Sequence, residues 1–160
     1  MHIIRYALLL ILAFVLQTTW VEFLVLSSLK PDLVLLVLIF LALREGPMAA
    51  MALGFFIGLL QDVYAPTDLG LNALLKCTVG FAVGYGRTRV VGDNIQVQVA
   101  FICVAVLVHD LFYYACTSAI SLGNAPFFWM RYGIGRAIYT GLIGALASAL
   151  QLLRRRFLPI

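Results

Sequence analysis

Apolar residues run almost without interruption along this chain, and its polar positions fall in short clusters that cut the run into helical lengths. A bilayer crossing takes roughly 20 apolar residues, and glycine, proline and polar clusters punctuate such runs. Read this way, the chain has six predicted helices, at about 4–26, 31–43, 48–64, 69–85, 95–120 and 130–153. The breaks between them are Ser27-Ser28-Leu29-Lys30, Arg44-Glu45-Gly46-Pro47, Ala65-Pro66-Thr67-Asp68, the stretch from Gly86 through the charged positions 87–94, and Ser121–Pro126. Pro31 is expected to open the second helix, where its missing N–H costs nothing. Phe127-Phe128-Trp129 reads as an interfacial aromatic cluster, and Arg154-Arg155-Arg156 stops the last helix. The second helix is short: its 13 predicted residues make about 20 Å against a hydrocarbon thickness of ~30 Å. It must lie in a thinned or protein-shielded region, or form a broken pair with the third, leaving five crossings and a re-entrant element.

Composition narrows the class. Of 160 residues, 64% are hydrophobic and 11% charged, with a mean hydropathy of +1.06. A soluble domain carries about 25% charged residues, so this chain cannot cover a water-facing surface. The expected fold is a single all-α integral membrane domain over 1–160, a bundle of about six transmembrane helices. The net charge of +4 sits at the ends of apolar runs, which sets topology and argues against a nucleic-acid partner. Arg5, Arg44, Arg87, Arg89 and Arg154 to Arg156 fall on one side, and Lys30 and Arg131 on the other. The positive-inside bias therefore places both termini in the cytoplasm. The run after Arg5 has no small-x-small cleavage site and reads as a retained signal anchor. Cys77, Cys103 and Cys116 lie in apolar stretches and are expected as small buried hydrophobes, without disulfide or metal roles.

Ionisable residues at membrane depth are costly and call for a partner or a function; here they are Glu22, Asp62, Lys76, His109, Asp110 and Arg136. Ala50, Gly54, Gly58 and Asp62 share one helix face, as do Lys76, Gly80 and Gly84. Folding these two helices as a hairpin about residue 69 predicts the rungs Asp62–Lys76, Gly58–Gly80 and Gly54–Gly84, a close small-residue contact capped by an ion pair. The competing reading has Lys76 snorkelling to the interface. Asp110 and Arg136 are expected to pair, with His109 beside them either structural or part of a relay or ligand pocket. Gly133, Ala137, Gly141, Ala145 and Ala149 form a second packing stripe. No nucleophile elbow, phosphate loop or zincin motif occurs, so the expectation is a non-enzyme with no catalytic, cofactor or metal residues.

One region carries a family resemblance. Lys30-Pro31-Asp32-Leu33, Leu43-Arg44-Glu45-Gly46-Pro47, the block Gly54-Phe55-Phe56-Ile57-Gly58-Leu59-Leu60-Gln61-Asp62, Leu69-Gly70-Leu71-Asn72-Ala73-Leu74 and the pair Gly80/Gly84 resemble the rod-shape-determining MreD family. The fifth and sixth helices match only in character, so His109, Asp110 and Arg136 inherit nothing from it. The resemblance implies a component of the bacterial cytoplasmic membrane that binds the bitopic protein MreC. It also implies indirect links to MreB filaments, to RodA and its penicillin-binding partner, and so to peptidoglycan synthesis and cell shape. It implies a fold similar to the substrate-binding subunits of energy-coupling-factor transporters. The matching positions that could carry function, by structure or partner binding, are Gly54, Gly58, Gln61, Asp62, Gly70 and Asn72, to which hairpin packing adds Lys76, Gly80 and Gly84. The favoured expectation is a membrane scaffold. The alternative is a small-molecule or lipid-binding subunit of a transporter-like complex.

Overall fold

The computed structural model describes residues 2–19, 30–64, 66–87 and 95–157. They form α1 (His2–Thr19), α2 (Leu33–Glu45), α3 (Pro47–Tyr64), α4 (Leu71–Gly86), α5 (Ile95–Cys116), α6 (Ala125–Phe128) and α7 (Ile134–Phe157), with no strand among the described residues. A π-helical stretch, Trp129–Gly133, joins α6 to α7, so the described residues make six helical rods.

Apolar side chains cover the outside of the bundle as well as its core. Large apolar side chains such as Phe56, Leu74, Ile138 and Leu142 are exposed, while Asp32, Asp62, Lys76, His109 and Asp110 are buried. Water would penalise both choices, and lipid favours them. Among the described residues, three stretches are long and apolar enough to cross a membrane: Pro47–Tyr64, Ile95–Cys116 and Ala125–Leu150. Ile4–Thr19 is a shorter apolar helix.

The short α2 sits at the centre. Val34, Leu35, Leu36, Leu38, Ile39, Leu41 and Ala42 are all buried, and the helix touches α1, α3, α4, α5 and α7. A helix apolar all round belongs in an interior, and here the surrounding helices shield α2. Its start differs from expectation. Asp32, not Pro31, opens the helix, its carboxylate accepting from Leu35 N–H at 2.8 Å, as an N-cap residue does. Gly46, at φ +99°, then turns the chain into α3.

Other boundaries also moved. The fifth helix stops at Cys116, four residues short of the expected 120, because Thr117 and Ser118 turn aside to hold Asp68. The last rod begins at Ala125 rather than 130, since Pro126 fits a first helical turn. The Trp129 indole N–H donates to the Leu107 carbonyl at 3.0 Å and ties the π-helical stretch to α5. The cysteines are less buried than expected, Cys116 being exposed and Cys77 and Cys103 half-buried. The end of the expected first span with Trp20 and Glu22, the turn at 27–29, Ala65 and the stretch 88–94 with Arg89 lie outside the described residues, as do the side chains of Arg154 to Arg156.

α3 and α4 form the expected close hairpin, but in a different register. A Cβ added at Gly58 would stand 2.5 Å from Ala73 Cα, at Gly54 2.7 Å from the Lys76 carbonyl, at Gly80 2.7 Å from the Ala50 carbonyl, and at Gly84 2.5 Å from Pro47 Cα. The rungs are therefore Gly58–Ala73, Gly54–Lys76, Ala50–Gly80 and Pro47–Gly84, about two helical turns from those expected. The turn is tighter than the sequence suggested because Asp62 reaches across it to begin α4. In the last rod Ala137, Gly141 and Gly144 approach α5, where Cys103 Sγ lies 2.6 Å from a Cβ placed on Gly141.

Candidate functional site

The first polar constellation is a clasp at the turn of the hairpin. Gly70 precedes α4 in the left-handed conformation, φ +92°, and has no side chain to cap it. Asp62 does so from the neighbouring helix. Its carboxylate accepts from the backbone N–H groups of Gly70 (3.0 Å), Asn72 (3.1 Å) and Ala73 (3.0 Å) and from Asn72 Nδ2 (2.9 Å). These are the orphan donors of a helix start, and a carboxylate there also meets the positive end of the helix dipole. The expected Asp62–Lys76 ion pair is not formed, because every lone-pair direction of Asp62 is committed to the turn. Gln61, next to it, lines a neighbouring cavity with its Oε1 buried and unpartnered among the described residues.

A second clasp ties this end of the hairpin to α5. Asp68 accepts from the Thr117 hydroxyl and, at 3.0 Å, from Ser118 N–H. Hydrogen bonds from the Ser118 and Thr117 side chains, with the Ser118 backbone, hold its carboxyl below the ordinary 3.8. A depressed carboxylate contributes stability that is complete above its ordinary pKa and is lost as pH falls through its folded value. Asp68→Asn is therefore expected to lower the melting temperature of the detergent-solubilised protein near neutral pH, with the gap from wild type closing below pH 3.8. A gap that is constant with pH would show that the carboxylate charge is not what the loop uses.

The second constellation is buried between α2, α4, α5 and α7. His109 Nδ1 and Arg136 Nη1 both lie against Asp110 Oδ1, at 3.1 and 3.3 Å. His109 Nε2 is 3.5 Å from Lys76 Nζ, which in turn donates to Asn72 Oδ1 at 3.3 Å. A chain of contacts thus runs from the Asp62 clasp through Asn72 and Lys76 to His109, Asp110 and Arg136. Buried charges survive when they are balanced and hydrogen-bonded, and this set brings two cations, Lys76 and Arg136, near two acids, Asp110 and Asp32. Lys76 does not snorkel: it is 1% exposed.

Two members went unread in the sequence. Asp32, buried at the start of α2, also donates its backbone N–H to Thr140 Oγ1 at 3.2 Å, fixing α2 to α7. The signal was present as an aspartate three residues before Leu35 at the head of an apolar run, the spacing of an N-cap. Gln17 of α1 accepts from Val34 N–H at 3.1 Å, satisfying another orphan donor of α2. It carried no local signal, because its partner is set only by packing.

Above the start of α2, these residues line a cavity of about 350 Å³, with Phe14, Gln17, Thr18, Lys30, Pro31, Asp32, Gln61, Tyr64, Asn72, Lys76, His109, Tyr113 and Arg136 in its wall. Phe14 and Tyr64 meet edge-to-face, centroids 5.8 Å apart, and join α1 to α3. At the opposite end of the bundle Arg87 Nη1 donates to the Arg44 carbonyl at 2.8 Å, so these two basic residues share one end. No curated protein and no solved structure matches the chain. The family model described as rod shape-determining protein MreD matches residues 1–131. With most of its length matched, an all-helical fold and a lipid-facing apolar exterior, the chain belongs to the MreD family of membrane proteins, which are involved in rod-shape determination.

Proposed function

We propose that the protein is a non-enzymatic, six-span scaffold of the bacterial cytoplasmic membrane, with both termini cytoplasmic, that docks the single transmembrane helix of MreC and so supports peptidoglycan synthesis through RodA and its penicillin-binding partner. The observation that carries this reading is the family match over residues 1–131. The shared end of Arg44 and Arg87 agrees with the positive-inside orientation, and the bundle is expected to resemble energy-coupling-factor substrate-binding subunits. The glycine stripe of the hairpin is consumed internally, so it is not the docking surface. The outward face of α3, where Phe55, Phe56, Leu59, Leu60 and Val63 are exposed, is a helix-sized apolar surface suited to a lipid-embedded partner.

Co-purification with MreC in mild detergent tests it. The double substitution Phe56→Ala with Leu60→Ala is expected to reduce recovery of the complex about tenfold, while Leu142→Ala with Leu146→Ala on α7 leaves it intact. Absence of a wild-type complex would overturn the scaffold reading. In a cysteine-free background, Thr67→Cys and Val91→Cys are expected to label from opposite sides of the membrane, and labelling from one side would overturn the six-span topology.

The cavity favours a second reading, a small-molecule or lipid-binding subunit of a transporter-like complex. A ligand retained by the protein purified alone, together with failure to capture MreC, would select it.

A further inference from the structure

α2 has 13 residues and is about 20 Å long, whereas α5 has 22 and reaches about 33 Å. The C-terminal end of α2 is held beside Arg87 at the basic end of the bundle. The shortfall therefore falls at its N-terminal end, and there it leaves the cavity of about 350 Å³. This is within the range of small-ligand sites, roughly 300–1,000 Å³.

The wall carries Lys30, Lys76 and Arg136, with His109, against one carboxylate, Asp32. Lys76 is fully buried, yet its ammonium makes only long contacts, 3.3 Å to Asn72 Oδ1 and 3.5 Å to His109 Nε2, with no carboxylate within 4.0 Å among the described residues. Arg136 uses one N–H on Asp110 and keeps its side chain 28% exposed toward the cavity. A buried ammonium without a contacting anion is costly, and a guanidinium with four further N–H donors is an anion fork.

We propose that this cavity binds the phosphate group of a net-anionic phosphate ester entering from the non-cytoplasmic side, with Lys76 and Arg136 as its cationic contacts. A phosphate suits the site better than a carboxylate because an ammonium, a guanidinium and nearby side-chain amides offer more donors than two carboxylate oxygens accept. Asp32, on the same wall, can accept from a hydroxyl of the esterified group. The proposal stands whether or not the chain docks MreC.

The test uses the whole protein purified alone in neutral detergent. Native mass spectrometry follows retention of short-chain phosphatidylglycerol against phosphatidylcholine of the same chain length, and thermal melting follows binding of glycerol 3-phosphate. Wild type is expected to retain phosphatidylglycerol at least tenfold better than phosphatidylcholine if the ester is a lipid, or to be stabilised by glycerol 3-phosphate if it is soluble. Thr18→Trp fills the cavity from its rim and removes none of the buried charges or their contacts, since the Thr18 hydroxyl bonds to carbonyls of its own helix. Lys76→Met removes the ammonium. Each is expected to lose at least tenfold in binding. If neither accumulates as folded protein, Lys30→Glu at the exposed rim replaces them, with the same weakening expected. Wild type that binds neither probe, or folded variants that bind as wild type does, would overturn the site.

Discussion

Replacing Gly58 by leucine is expected to abolish accumulation of the folded protein. Even the first atom of that side chain would stand 2.5 Å from Ala73 Cα, 2.5 Å from the Asn72 carbonyl and 2.7 Å from Ala73 N. Ordinary overpacking costs about 1–3 kcal/mol because flexible side chains give way. Here the obstacle is backbone, and the backbone is that of the turn held by Asp62. The expected loss exceeds about 4 kcal/mol, in the range reserved for a broken structural device, against a typical total stability of about 5–15 kcal/mol. Gly58→Ala is expected to share much of the damage, since the clash begins at Cβ. Gly123→Ala, with nothing within 4 Å of its Cβ position, is the matched control and is expected to be near neutral. Size-exclusion profiles of tagged protein from membranes measure all three. A monodisperse Gly58→Leu peak at wild-type level would show that the hairpin is not packed as described.

Asp62→Ala is expected to cost about 3–5 kcal/mol, because it strips four hydrogen-bond donors of one charged acceptor at once. Those donors cannot all find water, Ala73 being buried and Asn72 and Gly70 half-buried. Asp62→Asn is expected to recover less than half of the loss, since its amide presents a donor to N–H groups that need an acceptor. The charge swap Asp62→Lys with Lys76→Asp discriminates between mechanisms. If Asp62 served as the partner of Lys76, the swap would restore stability. Because Asp62 caps α4 instead, the swap is expected to be no better than the worse single change. Melting in detergent reads each variant, and recovery in the swap would overturn the capping account.

That Gly54, Gly58, Gly80 and Gly84 face a partner helix was legible, because spacing by four fixes a face whatever lies opposite. Their register was not, since a helix face repeats every turn and several alignments place small residues together. What selected one alignment was Asp62 reaching the N–H groups of Gly70, Asn72 and Ala73, a contact defined by the length and handedness of the turn. Arg136 against Asp110 was readable as a pairing of scarce charges in apolar surroundings. Asp32 was not read as part of that set, because 44 positions separate it from Lys76 along the chain and only the central placement of α2 brings it to the same cavity wall.

By itself the sequence determined that the protein is helical, lipid-facing and of the MreD family, because these follow from local composition, the spacing of apolar runs and short blocks such as Gly54–Asp62. The tertiary structure alone decided that the short helix α2 stands in the middle, that Asp62 caps rather than pairs, and that Lys30, Lys76, His109 and Arg136 converge with Asp32 on one cavity. The physical reason is that hydrophobic patterning reports which solvent each helix prefers. In a membrane chain apolar residues face both lipid and protein, so patterning does not say which helix has its neighbours on every side.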